Sequence, residues 1–307
     1  MKLLQTIRLG VGLTLLMPFA QLHAGEDFQF VEGLKEPFRE APNASDVSLE
    51  SLVLPESSAG VADQLKAIHS MGDDIGTEEV GRLYAFLKSR GEEAGYKPPG
   101  LYALKNEAMN VLRKQSPPPG RLADVLIGVF DDSNQDLVVR DYAIQHLVAW
   151  CDWGAGADSA DKSRSRETLL KASSEKSAIA GTALLGWHRL SAVDSAFGRE
   201  WIEEFALKFA RSNETMSAVR IAALQICAER NLNDVLAEAE LLARTSTDIG
   251  LRVSAIAALG RLGNETHASL LRGMVSESEE PWQTAVQAAL KRLSKKTEVP
   301  NWNPKST

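Results

Sequence analysis

The stretch Val219-Arg220-Ile221-Ala222-Ala223-Leu224-Gln225-Ile226-Cys227 decides how this chain is read. Two relatives share its form: Val139-Arg140-Asp141-Tyr142-Ala143-Ile144-Gln145-His146-Leu147 and Leu251-Arg252-Val253-Ser254-Ala255-Ile256-Ala257-Ala258-Leu259. Alignment on the central alanine also brings in Ala183 and Ala285, and more loosely Ala108, with centres 35, 40, 40, 32 and 30 residues apart. A helix that recurs at such a period marks an array in which each unit buries its apolar face against its neighbours. The fold expected is all-α: a right-handed α-α superhelix, or solenoid, of about six helix pairs.

Within the repeated helix, the positions four before, one after and four after the alanine are apolar: Val139, Ile144 and Leu147; Ile179, Leu184 and Trp187; Val219, Leu224 and Cys227. At about 100° per residue they share one broad face, which makes them the core between units. Alanine sits in the middle because the helices come closest there. Arg140, Arg220 and Arg252 fall three before it, and Asp136 and Asp248 lie four ahead of two of them. At that spacing the aspartates cap the helix and pair with the arginines for about 0.3 to 0.5 kcal/mol, in a ladder between units. The role expected of these residues is structural.

Upstream, Lys2 and Arg8 precede a short apolar run at residues 9–20, broken near its end by Pro18 and followed by Leu22-His23-Ala24. That order predicts a signal peptide over residues 1–24, cut after Ala24, because about a dozen apolar residues are too few to span a bilayer. Residues 25–60 then hold eight acids and two bases, with Pro37, Pro42 and Pro55. They predict an acidic, mostly disordered leader whose Phe28, Phe30 and Phe38 gain by docking somewhere. Without the signal the chain has 41 acids against 32 bases, and most of the excess lies in the leader. The repeats are near neutral, which leaves no basic footprint for nucleic acid or anionic lipid.

The repeat domain is expected over residues 61–295, with a flexible tail over 296–307. Thr77 reads as the cap of a helix that Gly91 ends, and Pro98-Pro99-Gly100 reads as a loop before the helix of Ala108. The prolines at 117–119 stop that helix. Residues 154–162 form the longest insertion. Cys151 and Cys227 lie two units apart, too far for a disulfide when stacked helices are about 10 Å apart, and read as buried small apolar groups.

The pattern Asp-x-x-x-Val-Arg-x-x-Ala-hydrophobic-x-x-Leu at residues 136–147, and in part at 248–259, resembles HEAT repeats of the armadillo-type superfamily. It resembles especially the short form also seen in phycobilisome-lyase-like proteins. The resemblance covers roughly residues 77–293, although Lys176, Ala180, Ser278 and Trp282 depart from the Asp and Arg positions. It implies a concave surface lined by the second helices, where partners of that family lie. The positions opposite the core face are Asp141, Gln145, Leu185, Arg189, Ile221, Gln225, Val253, Arg261, Gln283 and Gln287. A strip of glutamine, aliphatic and arginine side chains suits a peptide or protein better than a metal or phosphate.

The function expected is therefore that of an exported protein-binding or scaffolding module, periplasmic or extracellular in a bacterium, without cofactor or metal. Two other readings stand beside it. Some relatives with such repeats attach bilin pigments to proteins, and His146, Cys151, Asp152 and His188 are the one grouping that fits an enzymatic site. A purely structural spacer in an envelope complex is the other. Trp150, Trp153 and Trp187 could form a ligand shelf, but the first and last fall on the core side. The sequons at Asn43, Asn213 and Asn264 are not expected to carry glycans.

Overall fold

The computed structural model describes residues 60–90, 97–153, 159–275 and 281–298. The expected signal peptide, leader and most of the tail lie outside them. The described residues form thirteen α-helices and no strand. They are α1 (Val61–His69), α2 (Thr77–Lys88), α3 (Pro98–Lys114), α4 (Leu122–Asp131), α5 (Leu137–Trp153), α6 (Ser159–Ser173), α7 (Ile179–Leu190), α8 (Arg199–Arg211), α9 (Ser217–Arg230), α10 (Leu236–Thr245), α11 (Ile249–Leu262), α12 (Glu265–Gly273) and α13 (Gln283–Glu298).

From α2 onward the helices pack as pairs, α2 with α3 through α12 with α13. The second members also pack on one another in chain order, α3, α5, α7, α9, α11 and α13. Contacts along them keep the same sense, so they run parallel. Tyr102 near the start of α3 meets Asp136 before α5, and His188 near the end of α7 meets Glu229 near the end of α9. Helix α1 joins this layer instead of pairing: Val61 lies against Gly100 at the start of α3, and Gln115 just past its end bonds Gly72.

The central alanines Ala108, Ala143, Ala183, Ala223 and Ala255 are fully buried, whereas Ala285 in the last pair is half-buried. All nine apolar positions named around the first alanines are buried as well. Small residues bring the layer together. A Cβ added to Gly186 on α7 would collide with the Val148 side chain of α5, and one on Gly181 would meet the Ala218 carbonyl at the start of α9 at 3.3 Å.

The geometry shared by the three arginines differs from the expected Asp–Arg pair. Asp136 takes the Val138 N–H and the Tyr102 hydroxyl, and Asp248 takes the Leu251 N–H, so both do cap their helices. Each arginine reaches backwards and forwards instead. Nε of Arg140, Arg220 and Arg252 donates to the Phe130, Ala210 and Ala243 carbonyls at the end of its own first helix. Those carbonyls lack partners within their helices, so the bond satisfies a group that would otherwise be orphaned. The other end of each guanidinium meets the following pair: Glu175, Glu238 and the Trp282 ring, the last at 3.7 Å from its centroid. Trp282 stands where the repeat would carry its own arginine.

Helix ends bring smaller corrections. Gly76, not Thr77, precedes the first turn of α2, and its N–H is held by Glu79. Pro98 and Pro99 open α3 instead of forming a loop, since a first helical turn has no use for their missing N–H groups. Helix α6 begins at Ser159, inside the expected insertion, and α13 runs two residues past Lys296.

Candidate functional site

The outward side of the second helices carries the expected strip. Two residues after the central alanine stand Asn110, Gln145, Leu185, Gln225, Ala257 and Gln287 on successive second helices. Four of these six are carboxamides. In three of them the amide nitrogen is held by a carboxylate on the same helix: Asn110 by Glu107 at 3.0 Å, Gln145 by Asp141 at 2.8 Å and Gln225 by Glu229 at 3.0 Å. An amide held by one N–H keeps a second N–H and its carbonyl oxygen for other use. Those three oxygens have no hydrogen-bond partner among the described residues, and the side chains are only half-buried.

Between α9, α11 and α13 this side is hollowed into a groove of about 360 Å³. Its walls include Gln225, Glu229, Arg261 and Arg292, and its floor is small and apolar, with Leu224, Ala228, Ala257 and Ala258. Gln225 and Arg261 thus meet in one groove. Val253 is half-buried on the same helix as Arg261, and Ile221 on α9 is buried, so it supports the strip rather than presenting a surface. Leu185 is half-buried against the core, and Gln287 is exposed on α13. Gln283 is turned away to the Met274 carbonyl.

The electrostatics of the strip are set by paired groups. The His188 Nδ1 accepts from Arg230 Nε at 3.0 Å, which leaves Nε2 to donate to Glu229 at 2.7 Å. That bond from His188, with the one from Gln225 and the nearby charge of Arg261, holds the Glu229 carboxyl below the usual range against the opposing effect of burial. Arg189 pairs with Asp152. Arg113, on α3, has a buried Nε without a partner, and burial followed by the nearby Arg189 charge lowers its pKa.

The enzymatic grouping is not gathered into one place. His146 is buried and its Nε2 bonds Asn106 of α3 at 3.0 Å; burial, then the Arg113 charge, pulls its pKa down to about 3. The Cys151 thiol lies by Ser165 of α6, and burial pushes it up to about 11. His188 faces the opposite neighbour, α9. Among the described residues no three His, Cys, Asp or Glu side chains are placed to hold a metal ion. Cys151 and Cys227 are free and buried.

The tryptophans divide similarly. Trp187 is buried, with its Nε1 toward the Gly198 carbonyl, but its ring neighbours are Trp201 at 4.4 Å and Phe197 at 5.4 Å. Trp201, Phe205 and Phe209 continue the stack along α8. Their i,i+4 spacing was visible in the sequence; that Trp187 would join them across the turn was not. The side chain of Trp153 lies outside the described residues.

Compared with the known family models and with curated protein sequences, the chain matches none. A larger hollow, of about 530 Å³, lies at the other end of the molecule between α2 and the proline turn at 117–119. Two of its polar side chains are engaged: Tyr84 donates to the Gly120 carbonyl, and Gln115 bonds Ile75, Gly72 and Val111. The row of oriented carboxamides makes the side of the second helices the candidate for recognition.

Proposed function

We propose that this chain is an exported HEAT-like solenoid, a right-handed superhelix of about six helix pairs, whose second-helix face binds an extended segment of another protein. The observation that carries the reading is the row of oriented carboxamides. An extended peptide offers an N–H and a C=O with every residue, and a carboxamide can accept from one and donate to the other. Because Glu107, Asp141 and Glu229 fix the amides beforehand, little side-chain freedom is lost when a peptide binds. Contacts to backbone fix position without demanding a sequence, and the groove at Gln225 and Arg261 adds a pocket for side chains.

The HEAT resemblance, the parallel packing of the second helices and the capped, arginine-tied units support the solenoid. The signal-like residues 1–24 support export, to a bacterial periplasm or the outside. Among the described residues no helix is long and apolar enough to cross a membrane.

The test is capture from a peptide array by the intact chain and by a Gln225→Glu, Leu185→Asp double variant. Loss of capture with an unchanged circular dichroism spectrum is expected. Capture that survives both changes would remove the face from consideration.

A further inference from the structure

We propose that the acidic residues 26–56 of this chain are themselves an occupant of the second-helix face, their carboxylates meeting two arginine pairs, Arg113 with Arg189 and Arg261 with Arg292. The inference rests on reading that face as a peptide surface and names what lies there in the free protein. Its first ground is charge. Residues 26–56 carry eight acids and two bases, interleaved with Phe28, Phe30 and Phe38. Arg261 and Arg292 line one groove whose single acid is Glu229, and that acid is already engaged by His188 and Gln225. Arg261 and Arg292 are exposed, and their guanidinium groups make no hydrogen bond or ion pair among the described residues.

The second ground is the other end of the strip. Arg113 and Arg189 lie near enough for one charge to disfavour the other, and Asp152 pairs with Arg189. A half-buried guanidinium with an unsatisfied buried Nε beside a like charge is a place where an added carboxylate gains most.

Spacing and reach are the third ground. Helices of one layer lie about 10 Å apart, so α7 and α11, which carry Arg189 and Arg261, are about 20 Å apart. An extended chain advances about 3.3 Å per residue, so Glu40 and Asp46, six residues apart, span about the same length. The thirty residues from Glu56 back to Glu26 extend to about 100 Å. The whole layer from α1 to α13 is six steps, about 60 Å. The segment enters the array at Gly60, directly before α1, and can reach its far end.

The experiment places a nitroxide on Phe30→Cys in the full chain. Cys151 and Cys227 are buried, so the label goes to the introduced thiol. Amide signals of residues lining the α9–α11–α13 groove are expected to broaden, to recover in high salt, and to recover in an Arg261→Glu, Arg292→Glu background whose circular dichroism is unchanged. Broadening that ignores the charge reversal, that centres on the hollow by α2 and the proline turn, or that is absent overturns the proposal. Peptide-array capture by the same samples separates the two ideas. Capture without broadening sinks the leader alone, and the absence of both sinks the peptide-binding reading with it.

Discussion

Gly260 of α11 and Ala289 of α13 are packed so closely that a Cβ built on the glycine would lie 2.6 Å from both the Ala289 Cα and Cβ. One of those atoms is backbone, so the contact cannot be relieved by turning a side chain. Gly260→Ala should therefore push the last pair outward and cost about 1 to 3 kcal/mol in urea unfolding. Gly128 in α4 is the control, because nothing lies within 4 Å of its added Cβ. There the same change should stabilise by about 0.5 to 1 kcal/mol through helix propensity.

The Arg220–Glu238 contact is mostly shielded from water, with the side chains 9% and 17% exposed. Arg220→Met removes the ion pair and also the donor to the Ala210 carbonyl. A loss of about 3 kcal/mol is expected from the buried charge and carbonyl left behind. The exposed Lys66–Asp63 pair should yield under about 0.5 kcal/mol on the same treatment. Equal effects in a denaturant series would show that the forward tie between pairs adds nothing.

Lys105 is fully buried, and its ammonium donates to the Leu87 and Ser89 carbonyls and to Gln135 Oε1. It ties the end of α2 to the turn before α5. Lys105→Met keeps the stem and removes the donor, leaving buried acceptors unmatched at about 1 to 3 kcal/mol each. Destabilisation by several kcal/mol with faster proteolysis at the end of α2 is the expected result.

The depressed pKa of His146 links stability to pH. The unfolded chain takes up a proton below about 6.5, while the folded chain resists it until about pH 3. The unfolded state thus binds more protons in that window, so stability is full above about pH 6.5 and falls as pH drops toward 3, by up to about 1.4 kcal/mol per unit. In a His146→Gln variant this part of the slope should vanish. An unchanged slope in acid unfolding curves would place the histidine in contact with water.

The thiols give a simpler check. Burial raises Cys151 to about 11 and Cys227 to about 12, so thiolate is scarce at pH 8. A disulfide reagent should modify neither in the folded chain and both in urea. Rapid labelling of Cys151 in the native protein would mean that α5 opens near its end.

What was legible in the sequence was mostly periodic. The alanine at each helix centre and the apolar positions around it follow from 3.6-residue geometry, and their burial needed no knowledge of partners. Side-chain reach was not legible. Asp136 and Arg140 are well spaced for a pair on one helix, yet the nearer attraction for Arg140 is a spare carbonyl of the preceding helix and Glu175 of the next pair. The carboxamide row was visible as scattered glutamines, but its use became clear only when Glu107, Asp141 and Glu229 were seen to hold the amides. His146 and His188 are near in sequence register and face opposite neighbours, a matter of direction that spacing alone does not reveal.

The forward reach of Arg140, Arg220 and Arg252 also has a mechanical side. Each guanidinium anchors behind and grips ahead, so a pull on the two ends loads these contacts in series along the array. Ala180 stands where α7 would carry such a tie, and the joint there is held from α9 instead, by Arg230 on His188 and Ser191 and by the His188–Glu229 bond. Under tension the chain is expected to lengthen in discrete steps, like a hinged rule, one joint at a time.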